Sequence, residues 1–223
     1  KKEKKESPWV LDLERVVFTE GVVHYKDAIR KADVTADVDT LEGDPEYGVG
    51  WKLRGTYNDA PVTGSGKAGA VLSLKQQTTP YPLQADFRMG RTRIAFEGTL
   101  TKPTQLAALD MNLKLSGPSM ARLYPLIGVL LPETPAFSTS GRLIGALGPE
   151  SSRWTYDNFT GKVGSSDLGG TLAFQTGKPR GKLSGNVRSK LLHFDDLGPL
   201  IGADSNASKA RRGVAPVQPP DKV

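Results

Sequence analysis

Leu109-Asp110-Met111-Asn112-Leu113-Lys114-Leu115 alternates apolar and polar residues at every position. Successive side chains of a β-strand point to opposite faces, so this stretch has one oily face and one wet face. The pattern recurs upstream in Val34-Thr35-Ala36-Asp37-Val38, Val49-Gly50-Trp51-Lys52-Leu53, Leu83-Gln84-Ala85-Asp86-Phe87 and Ile94-Ala95-Phe96-Glu97. It returns downstream in Leu183-Ser184-Gly185-Asn186-Val187. A long series of such strands, with almost no helix between them, makes the fold class all-β with a few short helices. Two architectures satisfy it. One is a closed β-sandwich whose sheets bury each other. The other is an elongated, curved antiparallel sheet that leaves its oily side as an open hydrophobic groove.

Composition narrows the class. Hydrophobic residues make up 37% of the 223, low for a fully packed globule, while 25 Gly and 16 Pro suit short strands joined by turns. The net charge of +6 sits mostly at the ends, in Lys1, Lys2, Lys4 and Lys5 and in Lys209, Arg211, Arg212 and Lys222. Such runs read as solvated tails rather than a nucleic-acid face, which needs clustered cations with stacking aromatics. There is no cysteine, which excludes disulfides, thiol catalysis and cysteine zinc sites. The longest apolar run, Leu123 to Leu131, is interrupted by Pro125 and Gly128 and is too short to span a bilayer. The chain starts at Lys1 and reads as a piece of a longer protein whose anchor or export signal lies outside it.

Along the chain, residues 1–8 read as a disordered segment. Trp9 to Phe18 and Gly21 to Lys26 read as a hairpin turning at Thr19-Glu20-Gly21. Ala32 to Leu41 and Gly48 to Tyr57 are strands around Glu42-Gly43-Asp44-Pro45, followed by a turn at Asn58-Asp59-Ala60-Pro61. Lys67 to Lys75 alternates through Ala68, Ala70, Leu72 and Leu74. Pro82 to Met89 and Thr92 to Leu100 form a hairpin about Gly90-Arg91. After the strand Leu106 to Leu115 the period changes. Pro118 suits a first helical turn, and Met120, Leu123, Tyr124 and Ile127 share a helical face until Pro125 bends or ends it. Four strands follow, Ala136 to Leu147, Trp154 to Val163, Asp167 to Thr176 and Arg180 to Arg188. A second short helix is expected at Asp195 to Ile201, capped by Asp195. Residues 203–223 read as a flexible tail. Leu123-Tyr124-Pro125-Leu126-Ile127-Gly128 is echoed by Leu197-Gly198-Pro199-Leu200-Ile201-Gly202, which suggests a repeated unit stacked along one axis.

Motifs with chemistry are sparse. Gly64-Ser65-Gly66-Lys67-Ala68-Gly69 spells a phosphate loop, but no helix opens after it, and it reads as a hairpin turn. His24 lies in a strand, and His193 precedes Asp195-Asp196 without a nucleophile context. Those aspartates lack the spaced ligands of a calcium loop. Asn158-Phe159-Thr160 and Asn206-Ala207-Ser208 spell glycosylation acceptors, meaningful only in a eukaryotic secretory setting. No enzyme, cofactor, metal or nucleic-acid partner is expected. The helices are too few and too widely spaced to form a covering layer. A single sheet would then leave a trough lined by Val34, Val38, Trp51, Leu53, Leu72, Leu74, Phe87, Ile94, Phe96, Met111, Leu113 and Leu115. Uncovered, it must hold apolar cargo or a partner.

Leu113 to Gly128, followed by Leu131-Pro132-Glu133-Thr134-Pro135 and Ser140-Gly141-Arg142-Leu143, resembles the AsmA-like family of bacterial envelope proteins. So do Gly161 to Leu172, Leu191 to Gly202, and the strand Gly21-Val22-Val23-His24-Tyr25-Lys26-Asp27. The resemblance covers most of residues 9–202. It implies a repetitive β-groove over that range, related to bridge-like lipid-transfer architecture. It also implies a periplasmic location, with the parent protein held in the inner membrane by an anchor absent from this chain. The implied role is to hold or move phospholipid for outer-membrane homeostasis, with envelope proteins as possible partners. The alternative is a scaffold for outer-membrane protein assembly without lipid cargo. Acyl chains would lie on the apolar wall, with Lys52, Arg54, Arg91, Arg93 and Lys114 as candidate phosphate contacts at its rim.

Overall fold

The structure is a computed structural model that describes residues 16–29, 31–70, 80–103, 107–124, 131–148, 151–177 and 180–198. Eleven strands make one sheet: β1 (Gly21–Asp27), β2 (Ala32–Thr40), β3 (Val49–Tyr57), β4 (Ala60–Ala68), β5 (Tyr81–Met89), β6 (Thr92–Thr101), β7 (Ala108–Gly117), β8 (Phe137–Ala146), β9 (Arg153–Val163), β10 (Ser166–Gln175) and β11 (Lys182–Arg188). Their spatial order is their chain order, and every neighbouring pair is antiparallel. The sheet does not close on itself, so β1 and β11 are its edges. Among the described residues no second sheet opposes it, which rejects the closed sandwich.

The up-and-down order gives the sheet two ends. Connections from odd to even strands, together with the exit from β11, lie at what we call the lower end. Connections from even to odd strands lie at the upper end. Asn58 and Asp59 form a two-residue turn between β3 and β4, both with positive φ (49° and 62°), as a hairpin matched to strand twist requires.

Four local expectations change. Thr19-Glu20-Gly21 does not reverse the chain: Thr40 N donates to Phe18 O at 3.0 Å, so Phe18 prolongs the pairing of β1 with β2. Glu20 accommodates the irregularity with φ of 51°. Residues 9–15 of that expected hairpin lie outside the described residues. Of the strand placed at Lys67 to Lys75, Lys67 and Ala68 end β4, Gly69 and Ala70 are in no strand, and residues 71–75 lie outside the described residues. Gly64-Ser65-Gly66 is therefore the middle of a strand and not a turn. The reason is steric: a Cβ on Gly66 would meet Gln84 O at 2.1 Å and the Trp51 ring at 2.4 Å, and one on Gly64 would meet Phe87 at 2.5 Å. Finally, His193, not Asp195, holds the N-cap position of the short helix α1 (Phe194–Leu197).

Two excursions come down at the lower end. The first carries a 3-10 turn, Met120–Leu123, capped by Ser119. Ser119 Oγ accepts from Ala121 N (3.3 Å) and Thr134 N (3.0 Å), while Thr134 Oγ1 accepts from Met120 N (3.1 Å). This reciprocal clip presses Leu123 onto Phe137 and Val163, with Leu115, Met120, Leu131 and Leu168 around them. Burying a side chain of that size stabilises by about 1.5–3 kcal/mol. The second excursion ends in α1. Asp196 Oδ2 accepts from Ser165 N (2.8 Å), Ser166 N (2.9 Å) and Ser166 Oγ (3.0 Å), tying it to the β9–β10 turn. Gly164 in that turn has φ of 58°, and a Cβ there would stand 2.2 Å from the Asp196 carboxylate.

These contacts predict that Gly66→Ala lowers stability by about 1–3 kcal/mol in thermal or urea denaturation. Gly177→Ala, where a Cβ would touch nothing within 4 Å, changes it little.

Candidate functional site

Register decides which side chains share a face. Val38 pairs with Trp51, Ala36 with Leu53, Phe87 with Ile94, and Ala85 with Phe96. Ile94 pairs with Leu115, Phe96 with Leu113, and Gly98 with Met111. Val34 faces Gly55 two positions from these. Val34, Val38, Trp51, Leu53, Phe87, Ile94, Phe96, Met111, Leu113 and Leu115 therefore all stand on one face. Leu72 and Leu74 lie outside the described residues. Most of these side chains are half-buried, because neighbours on the same face crowd them and, among the described residues, no second layer covers them.

Large and small residues alternate across this face. Trp51 leans over Gly66 and meets Phe87, with ring centroids 5.2 Å apart, and Phe87 meets Phe96 at 6.2 Å. β4 supplies the small residues that make room for the rings. β8 does the same further along: Gly141 lies beneath Tyr156 and Phe159, which stack at 5.2 Å. The Tyr156 hydroxyl is satisfied by Thr139 Oγ1 at 3.0 Å, and burial pushes its pKa up.

The apolar face extends further than the expected trough lining. Leu143, Tyr156, Phe159, Leu168, Leu172, Phe174, Leu183 and Val187 join it. In β9 the spacing breaks step, since Tyr156 and Phe159 are three apart. An extra residue, Asn158 (φ 45°), forms a bulge seen from both β8 and β10, and restores the parity. Thr171 Oγ1 fills the bulge by donating to Asp157 Oδ1 at 2.7 Å.

The reverse face is polar and laced with ion pairs. Arg93 Nε holds Asp86 at 2.9 and 3.1 Å, Arg142 Nε holds Asp110 at 2.7 Å, and Arg54 pairs with Asp37. The Arg93 and Arg142 hydrogen bonds lower the pKa values of Asp86 and Asp110. Lys52, Arg54, Arg93 and Lys114 all belong to this face, and Arg91 lies in the β5–β6 turn. The four strand cations thus point away from the oily side chains. A recess of about 1260 Å³ lies on this polar face, lined by Asp37, Lys52, Ser65, Asp86, Ala95, Lys114, Ser140 and Thr160 among others. This open recess lies mainly on the side of the sheet away from the apolar wall, although Trp51, Ala85 and Phe96 also border it.

No group of three or more metal-ligating side chains occurs among the described residues. His24 Nε2 sits 2.7 Å from Asp33 Oδ1 on the exposed β1–β2 pair. His193 contributes its backbone, its N donating to Ser166 Oγ at 2.8 Å. Among the described residues no helix is long and apolar enough to cross a membrane.

The comparisons with known proteins agree with one another. The model of the AsmA family matches residues 43–223. The AsmA family protein YhjG of Escherichia coli (strain K12) is 42% identical over 246 residues, covering 98% of this chain and 36% of that protein. The chain thus spans about a third of the length of the curated relative it matches. No solved structure gives a significant match.

In the β2–β3 loop, Asp44 accepts from Lys67 Nζ (2.9 Å), Tyr47 N (3.0 Å) and Glu46 N (3.1 Å). These bonds, Lys67's first, bring its pKa down from 3.8 to about 2. A depressed carboxylate stabilises the fold above its unfolded pKa, and that contribution is lost as pH falls through about 2. NMR titration of the Asp44 carboxyl carbon is expected to give that midpoint, and Lys67→Ala to move it towards 3.8. A midpoint of 3.8 in the unaltered chain would contradict the geometry.

Proposed function

We propose, from the premise that this chain belongs to the AsmA family, that its apolar sheet face holds phospholipid acyl chains. The module would serve a larger protein anchored in the bacterial inner membrane and extending into the periplasm, and would hold or pass lipid for the outer membrane. One observation carries the reading: the register collects the oily side chains of successive strands onto one face that, among the described residues, no second sheet covers. An exposed apolar surface of this extent is costly in water and is relieved by hydrocarbon. Each acyl methylene taken from water is worth about 0.8 kcal/mol. The wall repeats similar side chains from strand to strand, so neighbouring positions are close in energy and a chain can shift along it.

The headgroup contacts differ from those expected of the sequence. Lys52, Arg54, Arg93 and Lys114 stand on the reverse face, so the headgroup of a lipid on the apolar face is left to water or to groups at the strand ends, such as Arg91. The recess on the ion-paired face favours a second reading, a scaffold module that seats an envelope protein there.

Mild purification followed by lipid extraction and mass spectrometry separates the two. The lipid reading expects co-purified phospholipid and uptake of a fluorescent acyl probe. Phe96→Asp and Leu113→Asp are each expected to reduce uptake at least about tenfold, since a charge in hydrocarbon costs about 3 kcal/mol. Ser140→Asp, on the reverse face, should leave uptake intact. A lipid-free chain that takes up no probe would favour the scaffold.

A further inference from the structure

We propose that β1 pairs antiparallel with β1 of a second copy of this chain, about a twofold axis normal to the sheet. This goes beyond the cargo reading and stands without it. The two edges of the sheet differ. β11 carries Lys182 and Arg188 at its ends, a charged guard against strand addition. From Gly21 to Tyr25, β1 contains no Lys, Arg, Asp, Glu or Pro. Val22 and Val23 project to opposite faces and are 66% and 57% exposed. Val22 pairs with Asp37, so it is an apolar residue on the polar face. An unguarded edge that is oily on both faces is a template for another strand.

The backbone of that edge is set up to bond. Thr40 N donates to Phe18 O on one side of β2, and Leu41 N donates to Gly48 O on the other. By alternation, Ala32, Val34, Ala36 and Val38 direct their backbone groups at β1, and their partners Asp27, Tyr25, Val23 and Gly21 direct theirs back. The N–H and C=O groups of Val22, His24 and Lys26 therefore point outward, where no strand lies beside them among the described residues.

Self-complementarity selects the occupant. A twofold axis normal to the sheet keeps both apolar faces on one side only if each residue meets one of its own parity. With Val23 opposite Val23 of the second copy, Val22 meets His24 across the seam, and their outward groups exchange hydrogen bonds in both directions. Gly21 then meets Tyr25. That ring, 48% exposed, finds over glycine the room that Trp51 finds over Gly66. Glu20 meets Lys26, both exposed, and symmetry makes this opposite-charge pair twice. Setting His24 opposite His24 instead puts Asp27 against Gly21 and Lys26 against Val22, and no opposite charges meet. The matched register also joins the two apolar walls into one. Two strands of seven residues make a small interface, so the pairing is reversible and depends on concentration.

The chain contains no cysteine, so Val23→Cys introduces a single thiol. Facing residues that are not hydrogen-bonded hold their Cα atoms about 4.5 Å apart, within disulfide reach. Mild oxidation of the 223-residue chain carrying Val23→Cys is expected to give a disulfide-linked dimer on non-reducing gels. Leu183→Cys lies on β11 at a position 68% exposed, and His24→Cys is set opposite Val22. Both should cross-link at least about tenfold more slowly. In the Val23→Cys background, Glu20→Lys and Lys26→Glu are each expected to slow the reaction about fivefold, and the two together to restore it. The double substitution keeps any fault that Lys26→Glu causes beside Asp33, so recovery can come only from the seam. A Val23→Cys chain that stays monomeric, because another strand covers β1 or none does, would overturn the proposal. So would equal cross-linking at Leu183 or His24, or no recovery in the double substitution.

Discussion

Parity of the strand register is the constraint on which everything else rests. Side chains alternate with period two, so a one-residue slip in any ladder would exchange the oily and wet faces of every strand beyond it. No such slip survives from β1 to β11. Leu53 reaches Ala36, and Phe96 reaches Leu113, without a charged residue entering the row. The one place where the count of residues fails, in β9, is corrected within that strand. Asn158 absorbs the extra position, and Phe159, Gly161 and Val163 rejoin the apolar face.

The two faces are stabilised differently. The apolar face is packed laterally by rings laid over glycine: Trp51 and Phe87 across β4, Tyr156 and Phe159 across β8. This packing buries part of each ring and leaves the rest without a partner among the described residues. The polar face carries Arg54–Asp37, Arg93–Asp86 and Arg142–Asp110. Pairs this exposed are screened by solvent and contribute little, so they do not hold the sheet together. Their effect is on choice of face, because turning a strand over would place a carboxylate or a guanidinium, parted from its partner, among Trp51, Phe87 and Leu113.

Much of this was legible in the residues. Wherever polar and apolar positions alternate cleanly, as at Leu109 to Leu115, strand, face and neighbours follow from the period alone. The all-β class rests on such runs, the open sheet on the scarcity of helices to cover them, and the family resemblance on segments such as Leu113 to Gly128 and Leu191 to Gly202. Reading failed where glycine carries two meanings. Gly64-Ser65-Gly66 looks like a turn, and only the rings of Trp51 and Phe87, which come from neighbouring strands, show why a strand needs glycine there. The far half of the apolar face was missed for a related reason: the bulge at Asn158 disrupts the alternation that would have revealed Tyr156 and Phe159 as companions. Asp195 resembled a helix cap by position, whereas Asp196 makes the bonds to the β9–β10 turn. The basic residues near the groove residues in sequence were separated from them in space by the same period-two rule.

The most direct test of the account is a nitroxide scan along β7, one cysteine at a time from Leu109 to Leu115, in the presence of phospholipid. An open sheet with hydrocarbon against one face predicts that collision with oxygen and with spin-labelled acyl chains peaks at Leu109, Met111, Leu113 and Leu115. Collision with a water-soluble relaxant should peak at Asp110, Asn112 and Lys114. Uniform accessibility along the strand, or strong immobilisation at the apolar positions with no acyl contact, would contradict it.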